Sequence, residues 1–302
     1  MIIDEERLQR FEAGLDPQNL QQSAVPGHIV GYGEISAIFQ IGDDDELVYK
    51  RMPLFDSRAA AETYENMYRE YCGLLEKAGV KLPASETRIV EIPRRPVVLY
   101  IAQQKLPGDR FCHQLLQTFD PSRSTALIEK VVTEINKIWT FNRTAAPSLQ
   151  LAIDGQLSNW VHGAELLYID TSTPLFRKNG REQQDPELLL KSAPGFLRWI
   201  IRWFFLSDVM NRYYHPRLVF TDLAANLYKE QRPDLLPQTI SVINRFLDQE
   251  TPPLTIDEVR KYYREDKWIW MVFLAFRRAD RLIKTKMLGR RYEFILPGVI
   301  KR

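Results

Sequence analysis

The sequence predicts an α+β protein of two lobes, and three observations carry that expectation. Strand-like segments gather between residues 27 and 104, helical patterns dominate after residue 109, and a linker-like Leu-Pro-Gly-Asp (106–109) separates them. Strands segregated from helices indicate α+β architecture and not an alternating parallel sheet. At 302 residues the chain also exceeds one minimal domain. The expected boundary gives an N-lobe over 1–104 and a C-lobe over 105–302.

The elements follow in order. Residues 4–20 read as an N-terminal helix ending near Pro17. GHIVGYGEISAIFQIG (27–42) reads as two strands with a tight turn at Gly31 and Gly33, and DDDE (43–46) as an acidic turn. LVYKRM (47–52) is a strand whose alternation puts Leu47 and Tyr49 on one face and Val48, Lys50 and Met52 on the other. A helix is expected from about 57 to 77, because Ala60, Tyr64, Met67, Tyr71, Leu74 and Ala78 recur every three or four residues and Gly79 is a stop signal. ETRIVEI (86–92) and PVVLYIAQQ (96–104) are strands joined at Pro93–Pro96. Beyond them, LSNWV (157–161) and ELLYID (165–170) form a hairpin across His162 and Gly163, with His162 as a turn residue. Residues 179–194 read as a surface loop and a short helix.

Three later stretches invite a closer reading. FLRWIIRWFFLSDVM (196–210) is apolar nearly all round, as a central core helix would be. VFTDLAAN (219–226) offers Asp222 and Asn226, with Asp222 expected to cap a helix N-terminus. WIWMVFLAFRRADRLIKTK (268–286) reads as a core helix with a basic exposed end, or as a segment that meets a membrane surface or an anionic partner.

Composition narrows the function classes. A formal net charge of +2 gives no global signal for nucleic acid. Residues 260–302 hold 13 Lys or Arg against 4 Asp or Glu, however, which leaves −7 on the rest. Cys72 and Cys112 lack metal-ligand spacing and suit buried small hydrophobes in a reducing compartment. The N-terminus lacks the apolar core of a signal peptide, and no apolar run reaches membrane-spanning length; a cytoplasmic protein is expected. The four histidines show no ligand spacing, and neither a G-x-S-x-G elbow nor a Walker lysine loop occurs.

AIDGQLSNW (152–160) followed by LLYIDTSTP (166–174) carries the chemistry. Asp154 and Asn159 lie five apart, and Asp170 follows the next apolar run. Phosphoryl transfer needs such parts: a group that positions the acceptor hydroxyl, and oxygen ligands for a metal that also binds phosphates. Asp-Gly is also an ordinary turn signal, so Asp154 gains weight only with its companions.

The pattern resembles the D-x-x-x-x-N catalytic loop of the protein kinase-like superfamily, in a style closer to aminoglycoside phosphotransferase-like small-molecule kinases, since Thr-Ser and not Phe-Gly follows Asp170. The resemblance implies a two-lobed kinase-like fold with an antiparallel N-lobe sheet, and ATP and Mg²⁺ as cofactors. It implies that Asp154 orients the acceptor, that Asn159 and Asp170 hold metal, and that Lys50 contacts nucleotide phosphates. It implies Glu70 as the partner of Lys50, with Glu62 and Glu65 as competitors on the same helix. Gln103, Gln104 and Lys105 resemble the hinge near the adenine, and Gly31 and Gly33 the phosphate-covering turn, with two of the usual three glycines. Ala152 departs from the family, which places a loop-supporting His there. The expected activity is phosphotransfer to a hydroxyl of a small-molecule acceptor. A nucleotide-binding pseudokinase scaffold and a nucleotidyl transferase on the same fold are the alternatives.

Overall fold

The computed structural model describes all residues except 34–35, 186–187, 189, 192–194, 196–197, 199–209 and 297–302. The N-lobe opens with α1 (Glu5–Gly14), whose N-terminus Asp4 caps by accepting from the Arg7 amide. This helix is shorter than the expected 4–20, because the chain turns extended at Leu15 and Asp16 accepts from the Gln18 amide. Five strands follow: β1 (Gly27–Tyr32), β2 (Ala37–Ile41), β3 (Leu47–Phe55), β4 (Ser85–Val90) and β5 (Val97–Gln104). They form one antiparallel sheet in the order β1-β2-β3-β5-β4, and α2 (Arg58–Lys77) connects β3 to β4.

Each face of that sheet is covered by one helix. On one side Leu8, Phe11 and Leu15 pack with Phe39, Tyr49, Val98 and Tyr100. On the other, Tyr64 and Tyr68 of α2 pack with Met52, Leu99 and Ile101. The alternation expected for β3 therefore holds, with Leu47 and Tyr49 toward α1 and Met52 toward α2. Burying both faces explains why β3 reads as a nearly continuous apolar run interrupted by Lys50 and Arg51.

The C-lobe is built on α3 (Cys112–Thr118), α4 (Pro121–Thr144), α5 (Pro216–Lys229), α6 (Leu236–Phe246) and α7 (Ile256–Leu282). Asp120 with Pro121 starts α4, and a Thr255–Glu258 capping box starts α7. Its core joins Ile128, Val132 and Ile135 of α4 to Phe220, Leu223 and Leu227 of α5 and to Ile240 and Ile243 of α6. The expected small hairpin is β7 (Trp160–His162) with β8 (Leu166–Tyr168), His162 closing the first strand. A three-stranded sheet of β6 (Leu149–Leu151), β9 (Phe176–Lys178) and β10 (Arg181–Glu182) accompanies it, so the start of the expected 179–194 loop is a strand. The two-lobed kinase-like architecture is the fold of this chain.

Two further expectations are corrected and one falls outside the description. Asp222 caps nothing: α5 starts at Pro216, and Asp222 lies in its middle. The stretch 268–276 belongs to α7 but is core only at Leu274, for Trp268 is 63% exposed and Ile269 and Met271 are exposed beside it. The central helix expected over 196–210 lies almost entirely outside the described residues. Cys72 and Cys112 are free thiols; burial pushes Cys72 up to about 11 and Cys112 up to about 12, which keeps both protonated near neutral pH. The tail Arg291–Ile295 returns to the N-lobe, where Arg291 donates to the Leu15 carbonyl and Gln18 to that of Tyr292.

Candidate functional site

The AIDGQLSNW loop is anchored by its apolar residues. Ala152, Ile153, Leu157 and Trp160 are buried, and Asn142 of α4 brackets Leu151 by bonding both its amide and its carbonyl at 2.8 Å. The loop-supporting role that His has in the resembling family is filled from elsewhere: the Tyr71 hydroxyl of α2 donates to the Ala152 carbonyl at 3.0 Å, and the Ala152 amide donates to Leu175. A His at 152 has no room, because that side chain is 0% exposed in a packed core. Gly155 has its own reason. A Cβ there would come within 2.8 Å of Val219 and 2.9 Å of Ile135, so only glycine lets α5 approach the loop this closely.

With its core residues pinned, the loop sets its polar residues toward one cleft. The Asp154 carboxylate accepts from the Gln156 amide at 3.1 Å, and the Asn159 side-chain amide donates to the Asp154 carbonyl at 3.4 Å. The Ile169 amide donates to the Asn159 carbonyl, which sets Asp170 beside the loop. Lys50 reaches across from β3: its ammonium lies 3.0 Å from Asp170 Oδ1, 3.1 Å from Ser172 Oγ and 3.4 Å from the Ile169 carbonyl. Lys50, Asp154, Asn159 and Asp170 are thus brought together from both lobes, as the sequence order implied.

Glu70 is not part of this group. It is exposed on α2 and pairs with Lys178 at 2.6 Å, while Glu62 pairs with Arg58 and Glu65 with Arg69 and Thr87. None of the three expected acids meets Lys50. The inward face keeps the expected Tyr64, Tyr71 and Leu74 and adds Ala61 and Tyr68, while Ala60 is exposed. Tyrosines therefore line the position where an acid was expected. Tyr64 donates to the Ser172 carbonyl at 2.6 Å, and Tyr68 contacts the Thr171 hydroxyl, so α2 grips the segment after Asp170 by hydroxyls instead of a carboxylate.

The remaining expected residues sit around the cleft in the sheet register. Gly31 pairs with Ile38, Ile38 with Lys50, and Lys50 with Ile101, which puts Gly31 two strands and about 10 Å from Lys50. The Gly33 amide closes the turn by donating to the Ser36 carbonyl at 3.0 Å. Gln103 is buried near the end of β5, Gln104 is exposed, and Lys105 bonds Gln40 and Asp45 while its amide donates to the Glu46 carbonyl. The Gln104 amide is already taken by the Ala84 carbonyl.

Asp222, expected to cap a helix, lies instead near enough to Asp154 for its charge to act there. Desolvation first, and then the charges of Asp222 and Asp170, push Asp154 up to about 8. Tyr262 of α7 donates to Asp222 Oδ1 at 3.0 Å, and Arg212 donates to Tyr262 at 3.1 Å. Gln156 and Asp222 line one small open cleft of about 30 Å³ together with Asn226, Lys229, Tyr263 and Asp266. A carboxyl whose pKa is raised by burial and a like charge is suited to proton transfer near neutral pH. The sequence offered Asp222 and Asn226 four apart, but the cap expectation drew attention from the helix face they share.

Among the described residues no group of three or more His, Cys, Asp or Glu is arranged to hold a metal. Asn159 and Asp170 offer two hard oxygen donors, a set that fits Mg²⁺ when phosphate and water complete the shell.

The fold is two-lobed and kinase-like, with an antiparallel sheet in one lobe and helices in the other. The chain itself belongs to a family of unknown function, DUF6206, whose model matches residues 22–281. No curated protein matches the sequence. Among solved structures the chain is similar to WaaP in complex with acyl carrier protein, at 15% identity and a TM-score of 0.34, covering 81% of this chain and 97% of that one. It is also similar to WbdD, at 13% identity and a TM-score of 0.34, covering 79% of this chain and 50% of that one. Another structure describes WbdD as a bifunctional kinase-methyltransferase, with 11% identity, a TM-score of 0.34 and coverage of 78% and 49%. Overlap at this level carries no information on substrate.

Proposed function

We propose that the chain is an ATP- and Mg²⁺-dependent phosphotransferase acting on a hydroxyl of a small-molecule acceptor. The convergence of Lys50 from β3 with Asp170, beside a loop carrying Asp154 and Asn159, is the observation that supports it. In this reading Lys50 leaves its resting pair with Asp170 and binds nucleotide phosphate. Asp170 and Asn159 would hold the metal, which would supply charge neutralisation for the transferred group. Asp154 orients the acceptor hydroxyl and, once ionised, accepts its proton; the raised pKa makes it a better base near neutrality. Gly31 and Gly33 cover the phosphates, and Gln103, Gln104 and Lys105 border the base. The test is incubation with ATP, Mg²⁺ and a panel of polyhydroxylated and aminated small molecules, read by mass spectrometry. A phosphorylated acceptor that Asp154→Ala does not produce supports the proposal; a nucleotidylated acceptor overturns the reaction type.

One observation favours a second reading. No carboxylate from α2 meets Lys50, and its ammonium is held by Asp170, Ser172 and the Ile169 carbonyl. A scaffold that binds nucleotide without turnover is consistent with that. Nucleotide binding with no product across the whole panel is its expected outcome.

A further inference from the structure

We propose that the exposed side of α7, continued to Leu288, is a seat for an anionic membrane surface. Thirteen large hydrophobic residues are exposed among those described, and eight of them fall between 268 and 288: Trp268, Ile269, Met271, Phe276, Leu282, Ile283, Met287 and Leu288. Single exposed hydrophobics are ordinary, but a continuous run of this kind marks an interaction surface.

Helix geometry makes the run one stripe. At 100° per residue, Trp268, Met271, Leu282 and Ile283, with the exposed alanines 275 and 279 between them, share one side. The buried positions Val259, Leu274 and Arg277 occupy the other. From 268 to 282 the stripe is about 21 Å long at 1.5 Å per residue, and a π-helical turn (Ile283–Met287) carries it on to Leu288. Its exposure is extreme at both ends, with Trp268 at 63% and Met287 at 73%.

Charge selects the occupant. Residues 260–302 carry nine more basic than acidic groups. Two of the four acids are spent inside the molecule, Asp280 on Lys284 and Glu293 on Arg51 and Arg291. Lys261, Arg264, Arg278, Lys286 and Arg290 are exposed along or beside the stripe. An apolar face with Trp and Leu, bordered by Lys and Arg on one helix, matches the chemistry of a helix lying in the headgroup layer of anionic lipid. No helix of the described residues is long and apolar enough to cross a bilayer, so the contact lies along its surface. The opposite side of α7 bonds Asp222 through Tyr262, so a seated α7 holds the cleft close to the lipid. The inference stands whether or not the cleft performs phosphotransfer.

Vesicle sedimentation of the full chain tests it, with phosphatidylcholine vesicles and with vesicles that also contain phosphatidylserine. Sedimentation with the phosphatidylserine vesicles alone is expected, falling several-fold in high salt. Trp268→Ser combined with Leu282→Ser, both at exposed positions, lowers the bound fraction about tenfold, and Arg264→Glu with Lys286→Glu does the same without touching the apolar stripe. Quenching of native tryptophan fluorescence by brominated lipid gives a readout that needs no variant. Sedimentation with neither vesicle, or undiminished binding by both double variants, overturns the proposal. So does a concentration-dependent dimer that the Trp268 and Leu282 changes abolish, since the stripe then belongs to a second copy of the chain.

Discussion

Lys50 and Arg51 are neighbours on β3, yet they serve opposite faces of the N-lobe sheet. Arg51 is 2% exposed and points toward α1, where Glu12, itself 0% exposed, takes two of its nitrogens at 2.7 Å and Glu293 takes a third contact. Tyr100 adds a hydroxyl to the same Glu12 carboxylate. Every strong acceptor around Arg51 belongs to the protein and is fixed. Lys50 points into the cleft and meets one carboxylate that keeps about a third of its surface, plus a hydroxyl and a carbonyl. A closed ion cluster specifies structure, because breaking it leaves buried charge without a partner. An open one holds a cation ready for a ligand that can replace its partner.

Predictions that break or sharpen this contrast fall in order of size. Arg51→Ala strands Glu12 and Glu293 and costs about 3–5 kcal/mol in denaturant unfolding; a loss below about 1 kcal/mol would erase the distinction between the faces. Acid acts in the same place. Burial raises the Glu12 carboxyl, but the Arg51 bond and charge together with Tyr100 outweigh it and hold it below its usual range. Its contribution is therefore present above the unfolded value near 4.5 and is lost as pH falls through the folded value.

The cleft face has the opposite sign. Asp154 has its pKa raised to about 8 from 3.8, so the protonated form is favoured in the folded state. Stability is full below about 4 and declines as pH rises toward 8. Asp154→Asn should accordingly stabilise the fold by roughly 1–3 kcal/mol at pH 7, a discounted figure for a group that keeps some solvent contact. The gain should vanish near pH 4, and any turnover should be lost with it. Equal melting temperatures for variant and native protein at pH 7 would contradict the raised pKa.

Asp222→Asn removes one of the charges that raise Asp154. The midpoint of the rising limb of the pH–rate profile should move down by up to about one unit, or about 1.4 kcal/mol. An unmoved midpoint would detach Asp222 from the site. Smallest of all, Lys50→Met should change unfolding free energy by less than about 1 kcal/mol, since its ion pair is partly solvated.

Much of this contrast was legible from residue order. Alternation along LVYKRM separated the faces, and the spacing of Asp154, Asn159 and Asp170 picked out the loop. The partner of Lys50 was not legible, because a helix rich in Tyr and Glu admits more than one inward face, and only packing against β3 and the 170–172 segment chose the tyrosines. Asp222 was misread since Asp favours helix caps, and the bond from Tyr262, 40 residues away, cannot be seen in local sequence. Apolarity in α7 suggested core for a similar reason: it reports what a side chain avoids, not whether a neighbour is present.

The central claim is that Lys50 and Asp170 form a nucleotide-ready site. A thermal-shift titration with ATP, with and without Mg²⁺, compares native protein, Lys50→Met and Asp170→Asn. Nucleotide that binds only the folded chain raises the melting temperature in proportion to the logarithm of concentration over Kd. The account predicts a rise for the native protein, its loss in Lys50→Met, and loss of the Mg²⁺-dependent part in Asp170→Asn. No rise at millimolar nucleotide, or the same rise in all three proteins, would contradict it.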